Sequence, residues 1–170
     1  MISKLKQKSI KKAYEKLVSK TVLTKQNNAK INSVAILLDK ETLKNIVLSN
    51  IKNTLPFKEA QITVLILREF NKKQEESPEF FSDNDFGFKA SLKSDNLKDF
   101  VKNDYDLLIN YTKEPNLYTN MITLLSQAKL KAGFANIDDR LFDLVVSEPT
   151  FNEAILNQEL KKYLTILNKI

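Results

Sequence analysis

The sequence predicts a three-layer α/β domain with a mainly parallel sheet of five or six strands, preceded by a basic amphipathic helix. Three observations predict it. Short apolar runs of strand length alternate with segments that carry apolar residues at helical spacing. The 170 residues, 42% of them apolar, suit one domain with a single core. Lysines are concentrated in residues 1–30. We therefore assign residues 1–30 to a basic helix and linker, and residues 31–170 to a single α/β domain.

The first segment is predicted to be an amphipathic helix with a lysine face. Residues 1–30 contain nine lysines and one acid, a net charge of +8. The remaining 140 residues hold 18 basic and 20 acidic side chains, a net charge of −2. At about 100° per residue, the apolar side chains share one sector and most lysines lie opposite. The apolar sector contains Ile2, Ile10, Ala13, Tyr14 and Leu17, and the opposite face carries Lys4, Lys8, Lys11, Lys12 and Lys16.

This helix has three open interpretations. It packs its apolar stripe on the domain and leaves a solvated lysine face, or it binds nucleic acid or anionic lipid, or it lies against another subunit. One aromatic residue among nine lysines is too few to stack bases, so any contact with RNA is expected to be mainly to phosphate. Residues 26–30 are predicted to be a short linker.

A strand, a helix and a second strand are predicted to open the domain. Val34–Leu38 is a continuous apolar run, so the strand that it forms must be covered on both faces. Asp39 or Thr42 is expected to cap the helix that follows, and Pro56 lies beyond its end. The run Ile62–Leu67 is rich in β-branched residues and predicts the next strand. A crossover unit with parallel strands is the default for this order.

The segment after the second strand is polar and long for a connection. We expect residues 69–85 to be a surface loop that Phe80 and Phe81 anchor. Residues 86–89 are predicted to form a short strand. A weak helix is predicted over 95–103.

The second half of the domain continues the alternation. Residues 105–110 predict another buried strand, and Pro115 is expected at the first position of the next helix. Residues 129–134 and 142–147 are the last strand candidates, and Pro149 precedes a final helix. Five or six strands with four helices are typical of a three-layer, Rossmann-like domain.

The composition excludes most familiar chemistry. The chain has no cysteine, histidine or tryptophan, which excludes disulfides, thiolate nucleophiles, histidine relays and Cys/His zinc sites. Two glycines leave no glycine-rich phosphate loop. We therefore expect no catalytic residue, no cofactor and no metal centre. No apolar run exceeds five residues, whereas a spanning helix needs roughly 20, so the sequence predicts a cytoplasmic protein.

A ligand crevice is the site that topology predicts without a motif. In an open parallel sheet, ligands bind beyond the carboxyl ends of the strands, where the strand order reverses. A helix cap is the simpler role for Asp39, and a turn paired with Arg140 is the simpler role for Asp138. These two carboxylates are nevertheless the best pair for Mg²⁺. The crevice candidates are Asp39, Asn110, Tyr111, Asn136 and Asp138.

Two resemblances to known families accompany these residues. Residues 31–39, 60–65, 105–110 and 128–134 resemble the heptosyltransferase-like glycosyltransferases. In that family such segments form the acceptor-binding, Rossmann-like N-terminal half of a two-domain GT-B fold. The family's Gly-Asp after the first strand, which supplies its catalytic carboxylate, is missing from this chain.

The second resemblance spans most of the chain. The lysine-rich start, a strand that ends at Asp39 and the segments 109–111, 131–135, 139–143 and 159–169 resemble a family of short bacterial proteins of unknown function. This resemblance implies the same fold and no known activity.

The leading interpretation is a non-catalytic α/β interaction module. Its lysine-rich N-terminal helix is expected to contact an anionic partner, which is RNA, an acidic protein or a membrane surface. The alternative is a sugar-phosphate or nucleotide-sugar-related binding protein or enzyme that uses the crevice at the strand ends.

Overall fold

A computed structural model of the chain describes residues 2–21, 28–150 and 152–170. Over these residues one sheet lies between two layers of helices. The strands are β1 (Val34–Leu38), β2 (Ile62–Leu67), β3 (Phe80–Phe81), β4 (Leu107–Asn110), β5 (Lys131–Phe134) and β6 (Leu144–Val146). The helices are α1 (Ile2–Val18), α2 (Lys44–Thr54), α3 (Asp95–Lys102), α4 (Leu117–Leu125) and α5 (Glu153–Ile166).

The sheet is parallel throughout, with the strand order β3-β2-β1-β4-β5-β6. β1 lies in the middle, where Val34 is in register with Ile62 of β2 on one side and Leu107 of β4 on the other. The strand order reverses between β1 and β4, so the crevice of a doubly wound sheet is expected at the carboxyl ends of these two strands. The predicted α/β class and parallel sheet are confirmed.

The two helical layers bury opposite faces of the sheet. α1, α3 and α4 cover the face that contains Leu37 and Leu108. α2 and α5 cover the face that contains Ile36 and Ile109. Successive side chains of a strand point to opposite faces, so a strand covered on both sides must be apolar at every position. All five residues of β1 are buried, which explains its continuous apolar run.

The prediction of a strand over residues 86–89 is wrong, and β3 lies instead in the segment predicted as a loop. The outer edge of β2 needs a partner for its backbone groups, and Phe80–Phe81 provides it. The backbone N–H of Ile66 donates to the carbonyl of Glu79 at 2.7 Å, and that of Arg68 donates to the carbonyl of Phe81 at 2.9 Å. Two aromatic residues that were expected to anchor a loop therefore form the edge strand.

Residues 86–90 form a compact turn. Phe86 makes a single antiparallel bridge with Leu92, and its ring is buried. Lys89 and Ala90 have φ angles of 56° and 61°, in the left-handed region that a strand does not visit. The backbone N–H of Lys89 donates to the Ser9 hydroxyl of α1 at 2.9 Å, so this turn supports the first helix.

The helix ends differ from the predicted ones. Asn116 caps α4 and Asn152 caps α5 through their side-chain oxygens, so Pro115 precedes the cap and is outside the helix. Neither Asp39 nor Thr42 caps α2. Thr42 lies inside the 3₁₀ turn Glu41–Leu43 that precedes α2, Asp39 lies before this turn, and no side chain caps either element. Asparagine is as good an N-cap as aspartate, and composition alone does not choose between nearby candidates.

Candidate functional site

The first helix packs on the domain with a face that differs in part from the predicted stripe. Leu17 is 41% exposed and Ala13 is half-buried, whereas Val18, which the stripe did not include, is in the core. The side chain of Ile2 is outside the described residues. Neighbouring residues differ by about 100° around a helix, so a modest rotation of the docked helix exchanges Leu17 for Val18. The buried side chains of α1 are Ile10, Tyr14 and Val18.

Polar contacts add to this packing. The Tyr14 hydroxyl donates to Asp138 Oδ2 at 2.6 Å. The Lys6 ammonium, which intrudes on the apolar side of the helix, donates to the carbonyl of Asp83 at 3.1 Å. The interpretation in which α1 packs its apolar stripe on the domain therefore describes this helix, and α1 belongs to the same core as the sheet.

The opposite side of α1 is a lysine face, which we define as Lys4, Lys8, Lys11, Lys12 and Lys16. All five side chains are exposed, and none forms an ion pair or side-chain hydrogen bond with the part of the chain that the structure describes. Four of them follow one another at intervals of four residues, a rise of about 6 Å each. This row of like charges spans about 18 Å along the helix.

The charges on the lysine face work against the helix that carries them. Lysines four residues apart repel each other, at a cost of about 0.2–0.5 kcal/mol per pair. The first turn of α1 contains no acidic residue to offset the helix dipole. Glu15 is the one acidic residue of α1, and its Oε2 lies 3.8 Å from Arg140 Nη2. A polyanion bound along this face would relieve the repulsion.

Two of the predicted crevice residues are interior. Asn110 is fully buried, and its side chain donates to Thr123 Oγ1 at 3.1 Å and accepts from the Thr112 backbone N–H at 2.8 Å. Tyr111 is also fully buried and donates to Asn157 Oδ1 at 2.5 Å. Burial raises the pKa of Tyr111, so its hydroxyl is neutral. Both residues join the end of β4 to neighbouring helices.

Two further crevice candidates also make contacts within the domain. Asp138 accepts from Arg140 Nε at 2.8 Å and from Arg140 Nη2 at 2.7 Å, which is the turn and ion pair that the sequence favours. The Arg140 hydrogen bond, with a further one from Tyr14, holds the pKa of Asp138 below its ordinary value. Asn136 is exposed, and its amide donates to the carbonyl of Lys113. Asp138 thus connects α1 to the segment after β5.

Asp39 is the crevice candidate that keeps an unused polar atom. Its Oδ1 is buried and has no hydrogen-bond partner among the described residues. Burial raises the pKa of this carboxyl, and the charges of Lys40 and Lys113 oppose the rise. Asp138 turns its carboxylate to Tyr14 and Arg140. Within the described ranges, no three acidic side chains gather in a way that would hold a metal ion.

A cleft that the sequence did not predict opens where β2 and β3 end and α3 begins. Its volume is about 690 Å³. Arg68, which directly follows β2, lies over the ring of Phe80 at 4.2 Å from the centroid. Its Nη2 donates to the carbonyl of Glu75 at 2.9 Å. One of only two arginines in a lysine-rich chain, placed directly after a strand, was the signal available in the sequence.

Comparison with known proteins supports one of the two resemblances. None of the described helices is long and apolar enough to cross a membrane. No curated protein and no solved structure matches the chain, and the resemblance to heptosyltransferases is not supported. The profile of one family matches residues 6–167, nearly the whole chain. The chain therefore belongs to DUF6913, a family of unknown function.

Proposed function

We propose that the protein is a non-catalytic module that binds a nucleic acid through the lysine face of α1. The observation that carries the proposal is the row of exposed lysines at positions 4, 8, 12 and 16, which have no partner among the described residues. A phosphate backbone is an extended row of single negative charges, and lysine ammonium groups neutralise it without reading the bases. The proposal includes the cytoplasmic location that the sequence predicts.

The buried side of α1 favours a nucleic acid over a membrane surface. An interfacial helix inserts its apolar face into the lipid. The apolar side chains Ile10, Tyr14 and Val18 are already in the core, so insertion would require α1 to leave the domain. Tyr14 is buried and does not stack on bases, so we expect binding with little sequence preference.

A ligand in the crevice at the strand ends has less support. Four of the five candidate side chains, all except that of Asp39, make hydrogen bonds within the domain. A sugar phosphate or nucleotide sugar bound there would have to compete with these contacts.

Fluorescence anisotropy with labelled single-stranded RNA and duplex DNA tests the proposal. The test variant carries K4Q, K8Q, K11Q, K12Q and K16Q. The matched control removes the same charge from five exposed lysines elsewhere: K52Q, K58Q, K73Q, K102Q and K161Q. We expect the lysine-face variant to lose at least about tenfold in affinity at low salt, and the control to stay within about threefold of the unmodified protein.

The salt dependence gives a second measure. If all five lysines contact phosphates, log K against log salt falls with a slope near −4.5 on duplex DNA and near −3.5 on a single strand. The lysine-face variant is expected to flatten this slope. Binding that does not depend on salt, or equal losses in both variants, would contradict the proposal. Binding to anionic vesicles or to an acidic protein without binding to nucleic acid would contradict the choice of partner.

A further inference from the structure

We infer that the cleft between β2, β3 and the start of α3 binds a small molecule that has an anionic group and an apolar body. Its volume of about 690 Å³ lies within the usual range of small-molecule sites, about 300–1,000 Å³. Phe70, Phe80 and Phe81 give it an aromatic wall, and most of the other lining residues are polar or charged. It lies at the carboxyl ends of β2 and β3, and none of its lining residues belongs to the lysine face or to the crevice candidates.

Arg68 is the anion-binding group of the cleft. Its guanidinium lies over the Phe80 ring and is also held by the carbonyl of Glu75. A guanidinium has five N–H donors in a fixed plane, and the Glu75 contact uses one of them. Its orientation is therefore set before a ligand arrives, which reduces the entropy lost on binding a phosphate or carboxylate.

Ser94 brings a second polar group to the cleft wall. Its hydroxyl oxygen is buried and has no hydrogen-bond partner in the described structure. Ser94 occupies the N-cap position of α3, yet its side chain does not cap the first-turn amides. The dipole of a helix favours an anion at this end. Lys93, which also lines the cleft, adds a positive charge.

Three acidic residues, Glu76, Asp85 and Asp95, also line the cleft, and two of them interact with other groups of the protein. Asp85 Oδ2 accepts from the Ser82 backbone N–H at 2.7 Å. The Asp95 side chain is 95% exposed and lies 3.7 Å from the ammonium of Lys98. Glu76 is exposed to solvent. Asp85 and Asp95 thus interact with groups of the protein, whereas the hydrogen bond of Arg68 to Glu75 uses one of its five N–H donors, which favours an anion over a cation beside Arg68.

Phe70 accounts for the apolar part of the ligand. It lines the cleft although its side chain is 51% exposed. A ring that is half in water gains favourable burial when an apolar body covers it. A ligand with only a phosphate would leave this surface wet.

NMR titration of the ¹⁵N-labelled protein tests the inference, with phenyl phosphate as the probe and inorganic phosphate and phenol as its two halves. We expect saturable shifts at the amides of residues 94–97 and at Arg68 Nε with phenyl phosphate. Inorganic phosphate should bind more weakly by about threefold or more, and phenol should cause no comparable shifts. Arg68→Gln should weaken phenyl phosphate binding by about tenfold or more, whereas the exposed-lysine control Lys52→Gln should not.

Two further variants keep the result independent of folding and of the lysine face. Phe70→Ala changes an exposed side chain, so it should fold normally and remove the advantage of phenyl phosphate over inorganic phosphate. The variant with K4Q, K8Q, K11Q, K12Q and K16Q should bind the probe as the unmodified protein does. The inference would be overturned by shifts confined to α1 or by the absence of saturable shifts. It would also be overturned if the Arg68→Gln and Lys52→Gln variants bound phenyl phosphate with equal affinity.

Discussion

Replacement of Tyr14 by phenylalanine tests how α1 is held on the domain. The Tyr14 hydroxyl donates a 2.6 Å hydrogen bond to Asp138 Oδ2, and the side chain is otherwise buried. Hydrogen bonds to charged groups contribute about 1.5–3 kcal/mol to stability. Asp138 keeps its two contacts with the Arg140 guanidinium, so we expect a loss at the low end, about 1.5–2 kcal/mol. For a chain of this size, that loss lowers the Tm by about 3–8 °C.

The loss should also depend on pH. The hydrogen bonds from Arg140 and Tyr14 hold the pKa of Asp138 below its ordinary value. A carboxyl of this kind stabilises the folded state fully above its unfolded pKa, about 3.9, and the stabilisation is lost as the pH falls through the folded pKa. The difference between Tyr14→Phe and the unmodified protein should therefore be complete at pH 7 and smaller at pH 3.

Urea denaturation followed by circular dichroism, at pH 7 and at pH 3, measures both effects. Tyr163→Phe is the matched control, because Tyr163 is 42% exposed and makes no side-chain hydrogen bond with the described residues. It should change the free energy of unfolding by less than about 0.5 kcal/mol. A similarly small loss for Tyr14→Phe at pH 7, or an equal loss at both pH values, would refute the role assigned to the Asp138 contact.

Three other substitutions probe the interior. Gly133→Ala should lower the free energy of unfolding by about 1–3 kcal/mol, because the new methyl group would overlap the buried ring of Phe142; an unchanged urea midpoint would contradict this. Tyr111→Phe removes the hydroxyl that donates to Asn157 Oδ1, so it should lower the free energy of unfolding by about 1–3 kcal/mol in the same assay. An unchanged free energy would mean that water or another donor replaces the hydroxyl. Asp106→Asn should lower the free energy of unfolding by about 1–2 kcal/mol at pH 7. Burial raises the pKa of Asp106, but hydrogen bonds from a lysine ammonium and two backbone N–H groups outweigh it and hold the pKa below its ordinary value. The thermal stability of the unmodified protein should thus fall more steeply below about pH 4 than that of Asp106→Asn, and parallel acid profiles would contradict the assignment.

The centre of the sheet was predictable because its burial leaves a direct mark on composition. Val34–Leu38 has no polar position, and a strand of this kind requires a partner strand on each edge and a helix layer on each face. The structure provides all four. Ile62–Leu67 was predicted with its observed bounds because β-branched residues, which favour strands, are frequent in it.

The edge of the sheet was not predictable in the same way. Phe80–Phe81 is two residues long, and no periodicity can be read from two residues. The strand exists because the outer edge of β2 needs hydrogen-bond partners, which is a property of the assembled sheet. The choice between Leu17 and Val18 in α1 is similar, since it depends on how the helix is rotated where it docks.

The candidate sites also differ in how far local sequence could predict them. Sequence reasoning placed Asn110 and Tyr111 correctly at the end of a strand, but their burial and their partners Thr123 and Asn157 come from other parts of the chain. It identified the lysine face, since exposed charges at helical spacing need no knowledge of the rest of the fold. It missed the cleft at Arg68, whose walls come from segments that only the folded sheet brings together.

The sequence by itself determined the α/β class, the buried central strand, the concentration of charge in the first helix and the absence of thiol and imidazole chemistry. These are properties of composition and local spacing. Only the tertiary structure decided that α1 packs through Ile10, Tyr14 and Val18, that most strand-end polar groups are used within the domain, and that a cleft opens beside Arg68. Hydrogen-bond partners and cavities are formed by residues far apart in the chain, so they exist only once the layers have packed.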